Sequence, residues 1–181
     1  MKIKKGRALG GIILLTLGLL SLSWGFQYYP KRDKQLFPEQ LKLLNIKVKS
    51  VAVSFGKTQY VYIEAEDYSN IDFGIQGIHY MAANVKAISE NILVGDNIEI
   101  EVLEKTYCDE MIEAMNHSVS QENNVYVSLY GLKKNNRAYL TLENINKAQK
   151  RDSTFGMYLF AFVGFVVISL GIRKIYNSLL I

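Results

Sequence analysis

Two uncharged apolar runs near the ends of this 181-residue chain constrain its fold more than any other feature. Residues 8–26 (ALGGIILLTLGLLSLSWGF) hold ten Leu, Ile or Phe, and residues 155–172 (FGMYLFAFVGFVVISLGI) hold eleven Leu, Ile, Val or Phe. About 20 apolar residues in a helix cross roughly 30 Å of hydrocarbon. Each Leu, Ile, Phe or Val near the centre of a span favours insertion by about 0.3 to 0.6 kcal/mol. Both runs are therefore expected to be transmembrane helices. Trp24, Tyr28 and Tyr29 at one end of the first, and Tyr158 and Tyr176 at the two ends of the second, suit an interfacial aromatic belt.

The pI of about 9.0 suggests a polyanion partner until the charges are located. Four basic residues (Lys2, Lys4, Lys5, Arg7) precede the first run and two (Arg173, Lys174) follow the second. The fifteen that remain share the intervening segment with all 17 acids, so that segment is slightly acidic. The positive excess belongs to the membrane flanks, where it meets anionic lipid and sets orientation. A nucleic-acid footprint is excluded from the soluble part on this charge balance. The short termini hold six Lys or Arg. The long loop holds eight within 20 residues of its ends (Lys31, Arg32, Lys34, Lys42, Arg137, Lys147, Lys150, Arg151). The higher density at the termini places both in the cytoplasm and the central domain outside.

A competing reading makes the first run a cleaved signal peptide, with small residues at Ser21 and Ser23 placed for cleavage after Ser23. The run exceeds a usual h-region, and the aromatic cluster after it reads as an anchor. Either way the domain lies on the same side. Neither span carries an Asp, Glu, Lys, Arg or His, the usual marks of an ion or proton path, so a stand-alone transporter or pump is not expected. Thr16, Ser21, Ser23 and Ser169 are expected to bond back to their own helix.

The expected layout is a basic N-terminus at 1–7, a span at 8–26, a linker at 27–40 holding Pro30 and Pro38, a soluble domain at 41–152, a span at 155–172 and a C-terminal tail at 173–181. Within the domain, Ile46 and Val48 alternate with polar residues, and Val51, Val53 and Phe55 alternate in the opposite frame. That pattern predicts one strand bulged near Ser50, or two short strands. A turn at Gly56-Lys57 and the aromatic, β-branched stretch 60–65 complete a hairpin. Ile71, Phe73 and Ile75 form a third strand ending at Gly77. Apolar residues at 78, 81, 85, 88 and 92 then predict a helix, and 98, 100 and 102 a strand.

Cys108, Met111, Ile112 and Met115 predict a second short helix. Strands follow at 125–129 and 139–140, separated by Gly131 and a Lys-Lys-Asn-Asn turn. The stretch 142–152 is compatible with a helix running into the second span. The expected class is α+β: a small antiparallel sheet or partly open barrel with two short helices, flanked by two transmembrane helices. The turn and strand Gly95-Asp96-Asn97-Ile98-Glu99-Ile100, inside a β-rich domain between two spans, resembles two-span bacterial membrane proteins of uncharacterised function. Their extracytoplasmic domains are likewise β-rich. The resemblance implies layout only and brings no active site or cofactor.

Candidate chemistry is sparse. Asp109, Glu113 and His117 are spaced four apart, so one helix face could present them to a divalent metal. A solvated polar face explains the same spacing, and no metal or other cofactor is expected. Cys108, the sole cysteine, forms no intramolecular disulfide. It reads as a small buried side chain; the alternative is a nucleophile paired with His79 or His117, as in a membrane-tethered hydrolase. Tyrosines at 60, 62, 68, 80, 107, 126, 130 and 139 could form a stacking platform, with packing as the simpler reading.

The remaining pattern is glycine at every seventh residue: Gly11, Gly18 and Gly25 in the first span, then Gly164 and Gly171, continued by Ser178, in the second. Seven residues return to nearly the same helix face. Stripes of small residues let helix backbones approach in lipid, against each other or a second copy of the chain. The expected function is a non-enzymatic, membrane-anchored extracytoplasmic binding module with membrane lipid and an envelope protein as partners. An accessory subunit of a transporter or secretion complex is a further alternative.

Overall fold

In the computed structural model, residues 5–32, 35–116 and 124–179 are described. The chain divides into a helical unit (Met1–Lys34 with Gln149–Ile181) and a unit spanning Gln35–Ala148. The first contains α1 (Lys5–Arg32) and most of α6 (Leu142–Leu179). Both contain a segment long and apolar enough to cross a membrane. Helix α1 continues through residues expected to be linker. Helix α6 runs unbroken from 142, as the polar stretch before the second span allows.

The second unit is α+β, built on seven strands in the order β5-β3-β2-β1-β4-β6-β7. Its centre is β1 (Leu41–Phe55), which pairs antiparallel with β4 (Asn97–Leu103) through Leu41–Lys47 and with β2 (Gln59–Ala65) from Val48 onward. The β1–β2 register shifts between Val48 and Ser50, which accounts for the change of alternation there. On β2, Val61, Ile63 and Ala65 are buried, whereas Tyr60, Tyr62 and Glu64 face outward. On β3 (Ile71–Gln76) the buried set is Ile71, Phe73 and Ile75, and on β4 it is Ile98, Ile100 and Val102. These branched and aromatic side chains form one core with Met111, Leu129, Leu132 and Leu140.

The sheet is larger than expected and mixed, not wholly antiparallel. Strand β5 (Val125–Ser128) lies parallel to β3, and the hairpin of β6 (Gly131–Lys134) and β7 (Arg137–Leu140) extends the other edge beyond β4. The sheet is not closed, yet the β5–β6 connection bonds both halves. Leu129 N–H donates to Gly74 O of β3 at 2.9 Å, and Tyr130 N–H to Glu101 O of β4 at 2.7 Å. The β6–β7 turn sets Asn135 and Asn136 at φ 51° and 63°, the left-handed pair that a two-residue hairpin requires.

The helix expected over 78–92 is two helices, α2 (Gly77–Ala82) and α3 (Val85–Asn91). Asn84 divides them: its side chain caps α3 by accepting from Ala87 N–H at 3.2 Å, and its own N–H donates to Tyr139 O. The apolar period runs through the break, so periodicity alone does not reveal it. After β4 come α4 (Glu104–Thr106), a π-helical turn (Tyr107–Met111) and α5 (Ile112–Asn116). The extra residue of a π turn rotates the helix face. Met111 and Ala114 point inward, while Ile112, Met115 and Cys108 are exposed. Cys108 is thus not the buried side chain that an ideal helical period implies.

Candidate functional site

The glycines of the helical unit meet across α1 and α6. A Cβ built on Gly18 would lie 2.9 Å from Gly164 O, and one on Gly164 would lie 2.9 Å from Gly18 O. Gly11 and Gly171 stand in the same relation at 3.0 and 2.9 Å, and Gly25 faces Met157 O and Phe160 Cβ at 3.3 Å. All five are buried, and Ser178 at the end of the stripe is 1% exposed. Ser21 does not bond back to its own helix: its hydroxyl donates across to Phe160 O at 3.0 Å, whereas Thr16 and Ser169 donate to Ile12 O and Phe165 O. The large apolar side chains of both helices point outward, with Phe26 74% and Phe162 68% exposed. Such exposure suits lipid and not water.

The candidate catalytic groups are not assembled. His79 lies on α2, beyond the end of β3. Its Nδ1–H donates to the Leu129 carbonyl at 2.8 Å, its ring meets Tyr130 edge-on at 4.6 Å, and burial pushes its pKa down. Cys108 belongs to the π turn, whose Tyr107 sits under Lys42. The helix that follows brings Met115 to a cavity of about 270 Å³ with Asp67 to Ile71, at the start of β3. The His79 ring is thus held beside Leu129 and Tyr130, whereas α5 reaches the loop that precedes β3. Among the described residues no three His, Cys, Asp or Glu side chains gather to hold a metal ion. Asp109 and Glu113 lie in the described helix, and His117 lies outside the described residues.

The tyrosines divide into two populations. Tyr80 and Tyr139 are buried, and Tyr68, Tyr107 and Tyr130 are half-buried against the core. Tyr60, Tyr62 and Tyr126 instead share the outer face of β2-β3-β5. The Tyr60 and Tyr62 rings are 4.7 Å apart, and Tyr126 meets Tyr62 edge-on at 5.9 Å. Gly74, opposite Tyr62, makes this strip continuous, because a Cβ there would come within 2.7 Å of Tyr126 Cζ and Oη. Tyr126 thereby lies across β3 to reach Tyr62.

Polar groups mark the two ends of the strip. Gln76, opposite Tyr60, donates its amide to the Tyr62 hydroxyl. Asp72, opposite Tyr126, accepts from the Asn124 amide at 2.9 Å. Small residues of β1 (Ser50, Ala52, Ser54) flank the tyrosines and leave them accessible. Burial raises the Tyr126 pKa, so its hydroxyl stays a neutral donor and acceptor. Alternation in 60–65 makes the outward pair on β2 legible. The parallel β3–β5 pairing that recruits Tyr126 leaves no local signal.

Fold and site together define an α+β domain joined at both ends to long apolar helices and carrying an outward aromatic strip of half-buried Tyr60 and Tyr62 and part-exposed Tyr126. No protein-family model, curated protein or solved structure matches the chain.

Proposed function

We propose that the chain is a membrane-anchored binding module. The two helices hold it in the cell membrane with both termini in the cytoplasm, and the β-rich domain engages an envelope component outside. The carrying observation is the tyrosine strip on β2-β3-β5, which gathers three amphipathic rings on the outward face of the sheet, packed on one another and still partly exposed. The bond of His79 Nδ1–H to the Leu129 carbonyl and the exposure of Cys108 in the π turn support binding over catalysis by that pair.

Hydroxyl-radical footprinting of the chain in native membranes, compared with purified chain in nanodiscs, tests this reading. Tyr62 and Tyr126 should be protected in native membranes, while Phe55, exposed at the β1–β2 turn, should react equally in both. Equal reaction of all three would overturn the proposal.

A further inference from the structure

Resting on the tyrosine strip as the binding face, we propose that its ligand is a neutral oligosaccharide, with sugar rings packed against Tyr60, Tyr62 and Tyr126 and hydroxyls bonded at both ends of the strip.

Charge comes first. Among the described residues, the ionised groups along the strip are Glu64 and Asp72; Lys49 is held by Glu64 at 3.4 Å, Lys47 by Glu66 at 2.9 Å, and Lys57 lies in the β1–β2 turn beyond Tyr60. A polyanion laid over the rings would therefore meet carboxylates whose neighbouring lysines are already paired. A neutral ligand leaves no charge buried without a partner.

Geometry comes second. The backbone groups of β2 and β3 are spent in ladders on both sides, so among the described residues an extended peptide could pair only along the outer edge of β5, beside the rings and not over them. A polyproline segment needs no backbone donors and stacks on aromatic rings, which makes it the nearest competitor. It cannot use Asp72, because its backbone has no N–H and a carboxylate only accepts. A sugar hydroxyl both donates and accepts, so it satisfies Asp72 and the Asn124 and Gln76 amides alike. Each pyranose also presents a flat C–H face with a polar rim, as each tyrosine does. Tyr60 and Tyr62 are tilted 34° to each other and Tyr126 stands at 90° to Tyr62, so the strip offers a sugar ring edges and faces at different angles and not one flat platform.

The test uses the full chain in phospholipid nanodiscs, because alkyl glycoside detergents would compete. Saturation-transfer NMR and calorimetry are run with cellotetraose, tetra-N-acetylchitotetraose, decaproline and a single-stranded oligonucleotide. At least one saccharide should bind through its ring C–H protons and weaken about tenfold in Tyr62→Ala. Ala52→Arg, at an exposed position opposite Tyr62, should block the same binding without removing a ring. Asp72→Ala should weaken the saccharide and leave decaproline unaffected. Binding of decaproline or the oligonucleotide alone, lost in Ala52→Arg, would overturn the ligand class and leave the binding face standing. Failure of all four probes while footprinting shows protection would also overturn the class. Failure of all four without protection would remove both readings.

Discussion

Replacing Gly18 with Leu should separate the two helices, and the structure sets the scale. The first added carbon alone would sit 2.5 Å from Ile168 Cγ1 and 2.9 Å from the Gly164 carbonyl, where ordinary contact begins near 3.4 Å. Ile168 can turn away, but a helix carbonyl cannot. The backbones must part by about 0.5 Å for alanine and by more for leucine, and gaps of ~0.5 to 1 Å already forfeit a quarter to a half of each dispersion well. With overpacking worth ~1 to 3 kcal/mol, Gly18→Leu should cost about 2 to 3 kcal/mol, a factor of roughly 30 to 150 in helix association. Gly18→Ala should cost about 1 kcal/mol. Val166→Leu, at an outward position 42% exposed, should cost little. Leu at Ala161 is a poorer control, because the Ala161 backbone lies 3.5 Å from a Cβ on Gly25. Trp24, the single tryptophan, has its ring 6.0 Å from that of Phe160 on the opposite helix, so its emission reports on this interface. In an SDS titration of the full chain in mixed micelles, the Trp24 midpoint should fall in the order Val166→Leu, Gly18→Ala, Gly18→Leu. A Gly18→Leu midpoint equal to the parent's would refute the close approach.

Three further outcomes concern the β-rich unit. Lys134 donates to Asp96 at 2.5 Å and to Asn91 O at 2.7 Å, with both charged side chains about four-fifths buried, so Lys134→Met should cost about 1 to 2 kcal/mol in thermal unfolding by circular dichroism. The hydrogen bonds from Lys134 and Leu93 N–H hold the Asp96 carboxyl below its usual range, so this contribution is full at neutral pH and fades as pH falls through the folded-state value. His79 is harder to protonate folded than unfolded, so the unfolded chain binds the extra proton first. Urea midpoints should therefore decline as pH drops below ~6.5 toward the lower folded-state value, and His79→Asn should flatten that slope. Asn136→Val, at φ 63°, should cost about 1 to 2 kcal/mol by the same melt, while Asn136→Gly should be neutral.

The elements legible in the sequence are those whose cause is local. The two long apolar helices follow from unbroken apolar runs, the hairpin from alternation and its reversal at Ser50, and the Asn135-Asn136 turn from residues that tolerate positive φ. The glycine spacing shows which face of each helix is narrow, though the facing of Gly18 and Gly164 is a property of two helices together. What stays hidden is non-local. Strand β6 has only four residues, two of them lysines that read as turn, and it becomes a strand because Glu99 to Glu101 pair with it. The exposure of Cys108 depends on a π turn that an ideal helical period does not contain. Asp96, in the turn ahead of β4, has a structural part: it accepts from Leu93 N–H and pairs with Lys134.

Cys108 offers the most direct test that the domain works outside the membrane. It is the only cysteine in the chain and is exposed, so a membrane-impermeant maleimide reports which side of the bilayer it occupies. In intact spheroplasts expressing the full chain, Cys108 should label to the same extent before and after permeabilisation, and Cys108→Ser should abolish the signal. Labelling only after permeabilisation would place the domain in the cytoplasm and contradict the account.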